Sequence, residues 1–196
     1  MTSLMPKRFV LLLLVLLLAP LCMKAQRAER TKHDREEYEV YSALVSQKFV
    51  KDDTRLVVIT DPTCCNTDDL DIWRMKQLEP FSPDTVESFK ERNKQSRHLE
   101  RAFTLVVAYR IVDSKEIDKL YPPGMPDEGW KTFYRLYPHS NGYLRLSRVG
   151  FNKDRTEALV NTGWMSGSLS GEGHYFLLLK KDGKWRIERS IATWMV

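Results

Sequence analysis

Residues 174–190 read HYFLLLKKDGKWRIERS, and the pattern of this stretch decides the fold class. Asp182-Gly183 is a pair that tolerates the left-handed backbone angles of a two-residue hairpin turn, so the flanking segments, His174–Lys180 and Lys184–Ser190, should pair as antiparallel strands. After the turn, Trp185 and Ile187 alternate with Arg186 and Glu188, which gives that strand one wet face. Before it, Tyr175–Leu179 is apolar at both parities, the mark of a central strand.

Moving back from the hairpin, Thr156–Thr162 and Tyr143–Val149 supply two more candidate strands, and the chain from Asn141 onward reads as an antiparallel meander. Trp130, Phe133, Tyr134 and Tyr137 fall at i, i+3, i+4 and i+7, an amphipathic helix that Asp127 can cap and Pro138 closes. A shorter helix over Lys115–Tyr121 ends at Pro122-Pro123-Gly124. Ala102–Val112 is a long apolar strand candidate, and Ser82-Pro83-Asp84 opens a helix with a capping hydroxyl, a first-turn proline and a carboxylate near the positive end of the dipole. Arg55–Thr60 (RLVVIT) reads as a buried β-branched strand stopped by Asp61 and Pro62. From about Asp34, Tyr38, Tyr41, Val45 and Phe49 form a helical stripe with Leu44 beside it. The expected fold is α+β: a mostly antiparallel sheet, concentrated in the C-terminal meander, with N-terminal and central helices packed on one face. No internal repeat or linker divides residues 38–196, which read as a single domain.

The segment 1–25, MTSLMPKRFVLLLLVLLLAPLCMKA, has a different character. Lys7 and Arg8 precede an apolar run, Phe9–Leu21, with no acidic residue anywhere, which is the layout of a secretory signal peptide. The run falls short of the roughly 20 residues a membrane span needs. Residues 26–37 (QRAERTKHDREE) then form a charged lead-in. Cleavage after Ala25 leaves Met23 where a small residue is usual; Cys22 could alternatively be a lipidated cysteine, although Ala19, Pro20 and Leu21 suit that poorly. The chain carries a formal charge of +5, but Lys7, Arg8 and Lys24 supply three of those five charges. The remaining basic residues are interleaved with acidic ones, as in KDDTR, so a nucleic-acid partner is not expected. With 42% hydrophobic and 29% charged residues the rest has the composition of a folded globular domain.

Residues 163–174, GWMSGSLSGEGH, are the most conspicuous candidate for a site. They lack the Lys-Ser/Thr ending of a phosphate loop, and Gly167–Gly171 has Leu169 where a hydrolase elbow has serine. Two readings stand: a flexible ligand-binding loop using Trp164, Ser166, Ser168, Ser170, Glu172 and His174, or a long glycine-tolerant connection between two strands. Cys64 and Cys65 are adjacent and could close a vicinal disulfide or stay reduced. Asp68, Asp69 and Asp71 lack the central glycine of a calcium loop and suit a helix start better. No paired C-x-x-C and no H-E-x-x-H is present, so no metal and no cofactor is expected. The Trp130–Tyr137 stripe could stack on sugars, but at helical spacing it is better read as packing.

The motif Ser147-Arg148-Val149-Gly150-Phe151-Asn152, with Ala158-Leu159-Val160, the glycine-rich segment and Gly183-Lys184-Trp185, resembles a family of exported bacterial proteins with no assigned activity. The likeness spans roughly residues 128–196, with an echo in Tyr41–Thr60. In that family cysteines often stand where this chain has Ser166 and Ser170, which implies that a staple or metal site of the relatives has no counterpart here. The Asp182-Gly183-Lys184-Trp185-x-Ile187 hairpin is also similar to the last hairpin of cystatin-like and NTF2-like folds, a likeness of fold and not of function.

The sequence therefore predicts an exported protein, periplasmic or extracellular, that acts as a non-enzymatic binding or interaction domain with an unknown partner. Two other readings compete: a small hydrolase using Glu172 and His174, and a protein tethered to the membrane through an unprocessed N-terminus.

Overall fold

A computed structural model describes residues 34–64 and 81–196. The export segment, most of the charged lead-in, Cys22, Cys65 and the Asp68–Asp71 cluster lie outside the described residues. By their contacts the residues divide into two units, Met1–Glu37 and Tyr38–Val196. The second carries the sheet. No helix among the described residues is long and apolar enough to cross a membrane.

The described elements run α1 (residues 34–48), β1 (Leu56–Asp61), α2 (Pro83–Arg92), β2 (Ala108–Asp113), α3 (Ser114–Asp118), α4 (Pro126–Leu136), β3 (Ser140–Leu146), β4 (Gly150–Phe151), β5 (Glu157–Gly167), β6 (Ser170–Lys181) and β7 (Lys184–Met195). The strands form one seven-stranded sheet in the order β2-β1-β3-β5-β6-β7, with β4 paired to β5. β1 runs parallel to both β2 and β3, and every other pairing is antiparallel. The α+β class and the C-terminal meander are as the sequence predicts. Asp182 and Gly183 take φ values of 53° and 73°, the left-handed pair that a tight hairpin between twisted strands requires.

Three expectations need correction. Strand β2 begins at Ala108, six residues later than the apolar run suggests. The helices do not share one face. Val57 and Ile59 of β1 join Val40, Tyr41 and Leu44 of α1 in one buried cluster, whereas Val58 between them joins Ile117 of α3 and Trp130 and Phe133 of α4. Leu159 and Leu177, opposite in parity to Val160 and Leu178, bury Phe89 of α2 in a third cluster. Strands that are apolar at both parities have two faces to cover, so helices lie on both. Third, the 163–174 segment is not a loop: β5 continues to Gly167 and β6 starts at Ser170, leaving only Ser168 and Leu169 between the strands, with a bulge at Ser166.

The helix starts also differ in detail. The Ser82 hydroxyl makes no cap at α2. Instead Glu157 accepts the Ser82 N–H at 2.7 Å and the Thr85 hydroxyl. At α4, Met125 holds the cap position with Pro126 behind it, and Asp127 sits in the first turn.

Candidate functional site

The glycines of the β5–β6 hairpin make room for a single indole. Gly163, Gly173 and Trp194 lie side by side across three strands. A Cβ on Gly173 would come within 2.1 Å of Trp194 Nε1, and one on Gly163 within 3.3 Å of its Cζ2. A Cβ on Gly171 would meet Met165 Sδ at 2.5 Å and Trp194 Cζ3 at 3.2 Å. The glycine-rich stretch is thus a smooth strip of sheet on which Trp194 rests.

The serines near the turn bond to the protein itself. The Ser166 and Ser170 hydroxyls are 2.8 Å apart, and the Tyr134 hydroxyl donates to Ser166 O at 2.7 Å. The Ser168 hydroxyl donates to Asp127 Oδ1, which ties the hairpin tip to the first turn of α4. Leu169 beside it is 88% exposed.

Trp164, Glu172 and His174 come together on the opposite face of the strip from Trp194, beneath the end of α1. Trp164 is the cross-strand neighbour of Glu172, and Thr162 that of His174. Trp164 Nε1 donates to Asn141 O at 2.7 Å. Glu172 lies between Lys48 and His174: Lys48 Nζ is 3.4 Å from Oε1, and His174 Nε2 is 3.1 Å from Oε2. Burial pushes the Glu172 carboxyl up, but contact with His174 and the Lys48 charge more than offset this and hold it below the usual carboxylate range.

The His174 ring stacks on Phe176, with centroids 5.5 Å apart and planes 27° apart. The short approach to Glu172 lacks hydrogen-bond alignment. Both ring nitrogens are buried without a hydrogen-bond partner, as is Thr162 Oγ1. The imidazole thus sits against the Glu172 carboxylate, with the Thr162 hydroxyl on the neighbouring strand across the ladder.

A nucleophilic set would need a hydroxyl or thiol hydrogen-bonded to the base. His174 has no such bond, and Ser166, Ser168 and Ser170 are engaged with one another, with Asp127 or with the backbone. Among the described residues no three His, Cys, Asp or Glu side chains converge as metal ligands. Trp164 also borders a cavity of about 20 Å³ with Phe49, Thr54 and Asn141. That volume holds about one water molecule. The aromatic stripe does not line it directly but packs behind Tyr143, which does: Trp130 and Phe133 are buried, Trp130 stacks on Tyr143 with ring planes 13° apart, and Tyr134 packs against that cluster. Cys64 is disulfide-bonded and its N–H donates to Leu146 O at 2.9 Å.

Lys48, Thr162 and Trp194 belong to this region but do not stand out in the sequence. For Trp194 a signal was present. Gly171 and Gly173 recur at the strand period of two, which marks one face stripped of side chains for a bulky neighbour. Lys48 lies off the apolar stripe of α1 and has no such signal.

No protein-family model matches the chain, and neither the curated proteins nor the solved structures compared with it yield a match.

Proposed function

We propose that the chain is an exported, non-enzymatic binding or interaction domain of the periplasm or cell exterior. The observation that carries this reading is the commitment of the candidate side chains to their own fold. Glu172 is shared between Lys48 and His174, Ser166 pairs with Ser170, and Ser168 with Asp127. What the same end of the sheet offers outward is apolar: Leu169, Met195 and Trp194 are 88%, 72% and 40% exposed. Exposed apolar groups at one end of a sheet suit contact with another molecule better than chemistry on a small one. Export rests on the Lys7-Arg8 and Phe9–Leu21 pattern of the sequence.

Two measurements test this. Intact mass of the chain recovered from the exported fraction should begin at Gln26; a full-length chain confined to the membrane fraction supports the tethered reading instead. Assays with ester and peptide substrates should show no turnover that depends on His174. Hydrolysis present in the wild type and lost in His174→Ala would replace the binding reading with the hydrolase one.

A further inference from the structure

The outer edge of β7 is occupied by a side chain that imitates a strand. β7 ends the sheet order, so one of its edges faces away from every described strand. Lys181 and Lys184 flank the two-residue turn and form its closing hydrogen-bonded pair, and register then alternates through Lys180↔Trp185 and Leu179↔Arg186 to Leu178↔Ile187. The backbone groups of Trp185 and Ile187 therefore point outward. Gln47 of α1 meets both: its Nε2 donates to Trp185 O at 3.1 Å, and its Oε1 accepts from the Ile187 N–H at 3.2 Å. The other Nε2 hydrogen donates to Ala43 O at 3.0 Å, which holds the amide in place from within its own helix.

A carboxamide carries the same donor and acceptor as a peptide unit. One amide that accepts from residue 187 and donates to residue 185 makes the two bonds an added strand would make there. We propose that the Trp185–Ile187 edge is a strand-addition site held shut by Gln47, and that β7 of a second copy enters it when the plug is removed. An edge that pairs with its own copy by two-fold symmetry must do so antiparallel. Centred on Ile187, that pairing sets Arg186 of each copy against Glu188 of the other, so opposite charges meet twice. The charged side chains that otherwise blunt this edge then become its register marks.

The test compares the full-length chain as wild type, Gln47→Ala and Gln47→Ala/Ile187→Pro, by sedimentation velocity from micromolar to hundreds of micromolar. The wild type should stay monomeric, Gln47→Ala should shift to dimer, and the double variant should return to monomer. Proline removes the outward N–H and is tolerated at a sheet edge. In Gln47→Ala the Ile187 amide should exchange freely when dilute and slow by about tenfold or more as dimer forms. Should Gln47→Ala fail to fold, Gln47→Glu serves, because it keeps the acceptor for Ile187 but cannot donate to Trp185; it should dimerise more than wild type. A folded Gln47 variant that stays monomeric with rapid Ile187 exchange at every concentration overturns the proposal. So does a dimer that survives Ile187→Pro.

Discussion

Glu157, at the start of β5, accepts the backbone N–H of Ser82 at 2.7 Å although the two residues are 75 positions apart. In a capping box the third residue of the helix returns a carboxylate to the cap N–H. Here that third residue is Thr85, whose hydroxyl donates to the same Glu157 oxygen. The carboxylate comes from the sheet, so the start of α2 is defined by tertiary structure.

Removing that carboxylate should loosen α2 as a unit. Glu157→Ala is expected to cost about 2–4 kcal/mol in urea unfolding, because the Ser82 N–H and the Thr85 hydroxyl lose a charged acceptor, and Glu157→Gln about half as much. An unchanged midpoint for Glu157→Ala would refute the assignment.

Two glycines should differ in their tolerance of a methyl group. A Cβ on Gly150 would sit 2.5 Å from the backbone N and Cα of Phe89, so α2 would have to move off β4. The nearest atoms to a Cβ on Gly173 belong to the indole of Trp194 and the hydroxyl of Thr193, which are side chains. Gly150→Ala should destabilise by about 3 kcal/mol or more and Gly173→Ala by about 1–2 kcal/mol, the latter with a red shift of tryptophan emission as Trp194 lifts from its strip. Equal costs would show that Trp194 is as immovable as a helix.

Thr162 is 1% exposed and its hydroxyl has no partner. Replacing a buried, unbonded hydroxyl by a methyl removes a desolvation cost, so Thr162→Val should raise stability by about 1 kcal/mol, read as an increase in Tm. A decrease would mean that a bound molecule satisfies the hydroxyl in solution.

Stability should respond to pH at two places. The hydrogen bond to Asp61, and its charge, raise His98 above its ordinary value near 6.5. A raised folded value makes this contribution complete at pH below the ordinary value, and it is lost as pH rises through the higher folded one. Glu172 is held below its ordinary 4.5, so its contribution is present at neutral pH and lost as pH falls through the lowered value. In a Tm–pH profile, His98→Gln should flatten the alkaline side and Glu172→Gln the acid side. The reverse assignment would contradict the ion-pair geometry at both places.

Much of the architecture was legible because local chemistry dictated it. The Asp182-Gly183 turn, the Tyr38–Val45 stripe and the Trp130–Phe133 face each depend on residues close in sequence. The hidden parts depend on distant ones. The two-sided helix layer was implied by Val57-Val58-Ile59 and Tyr175–Leu178, whose unbroken apolarity asks for cover on both faces, but no single window says which helix covers which. Glycine at 163, 171 and 173 looked like flexibility when its neighbours were unknown; with Trp194 in place it is space. Glu172 and His174 were visible only as two residues of the glycine-rich segment, while Lys48, which completes the cluster, comes from a helix end 124 residues before Glu172.

The placement of β1 between two later strands sets an order of assembly. Thr60 and Leu144, whose side chain and carbonyl meet, are separated by 84 residues. At ordinary synthesis rates the LVVIT strand emerges on the order of ten seconds before β3 can pair with it. β5, β6 and β7, joined by two-residue connections, can zip together within microseconds once they appear. Contact order therefore predicts nucleation in the C-terminal hairpins, with β1 docking onto a sheet already started. Until β3 arrives the edge of β1 away from β2 lacks its partner, which gives a holding chaperone an interval in which to act.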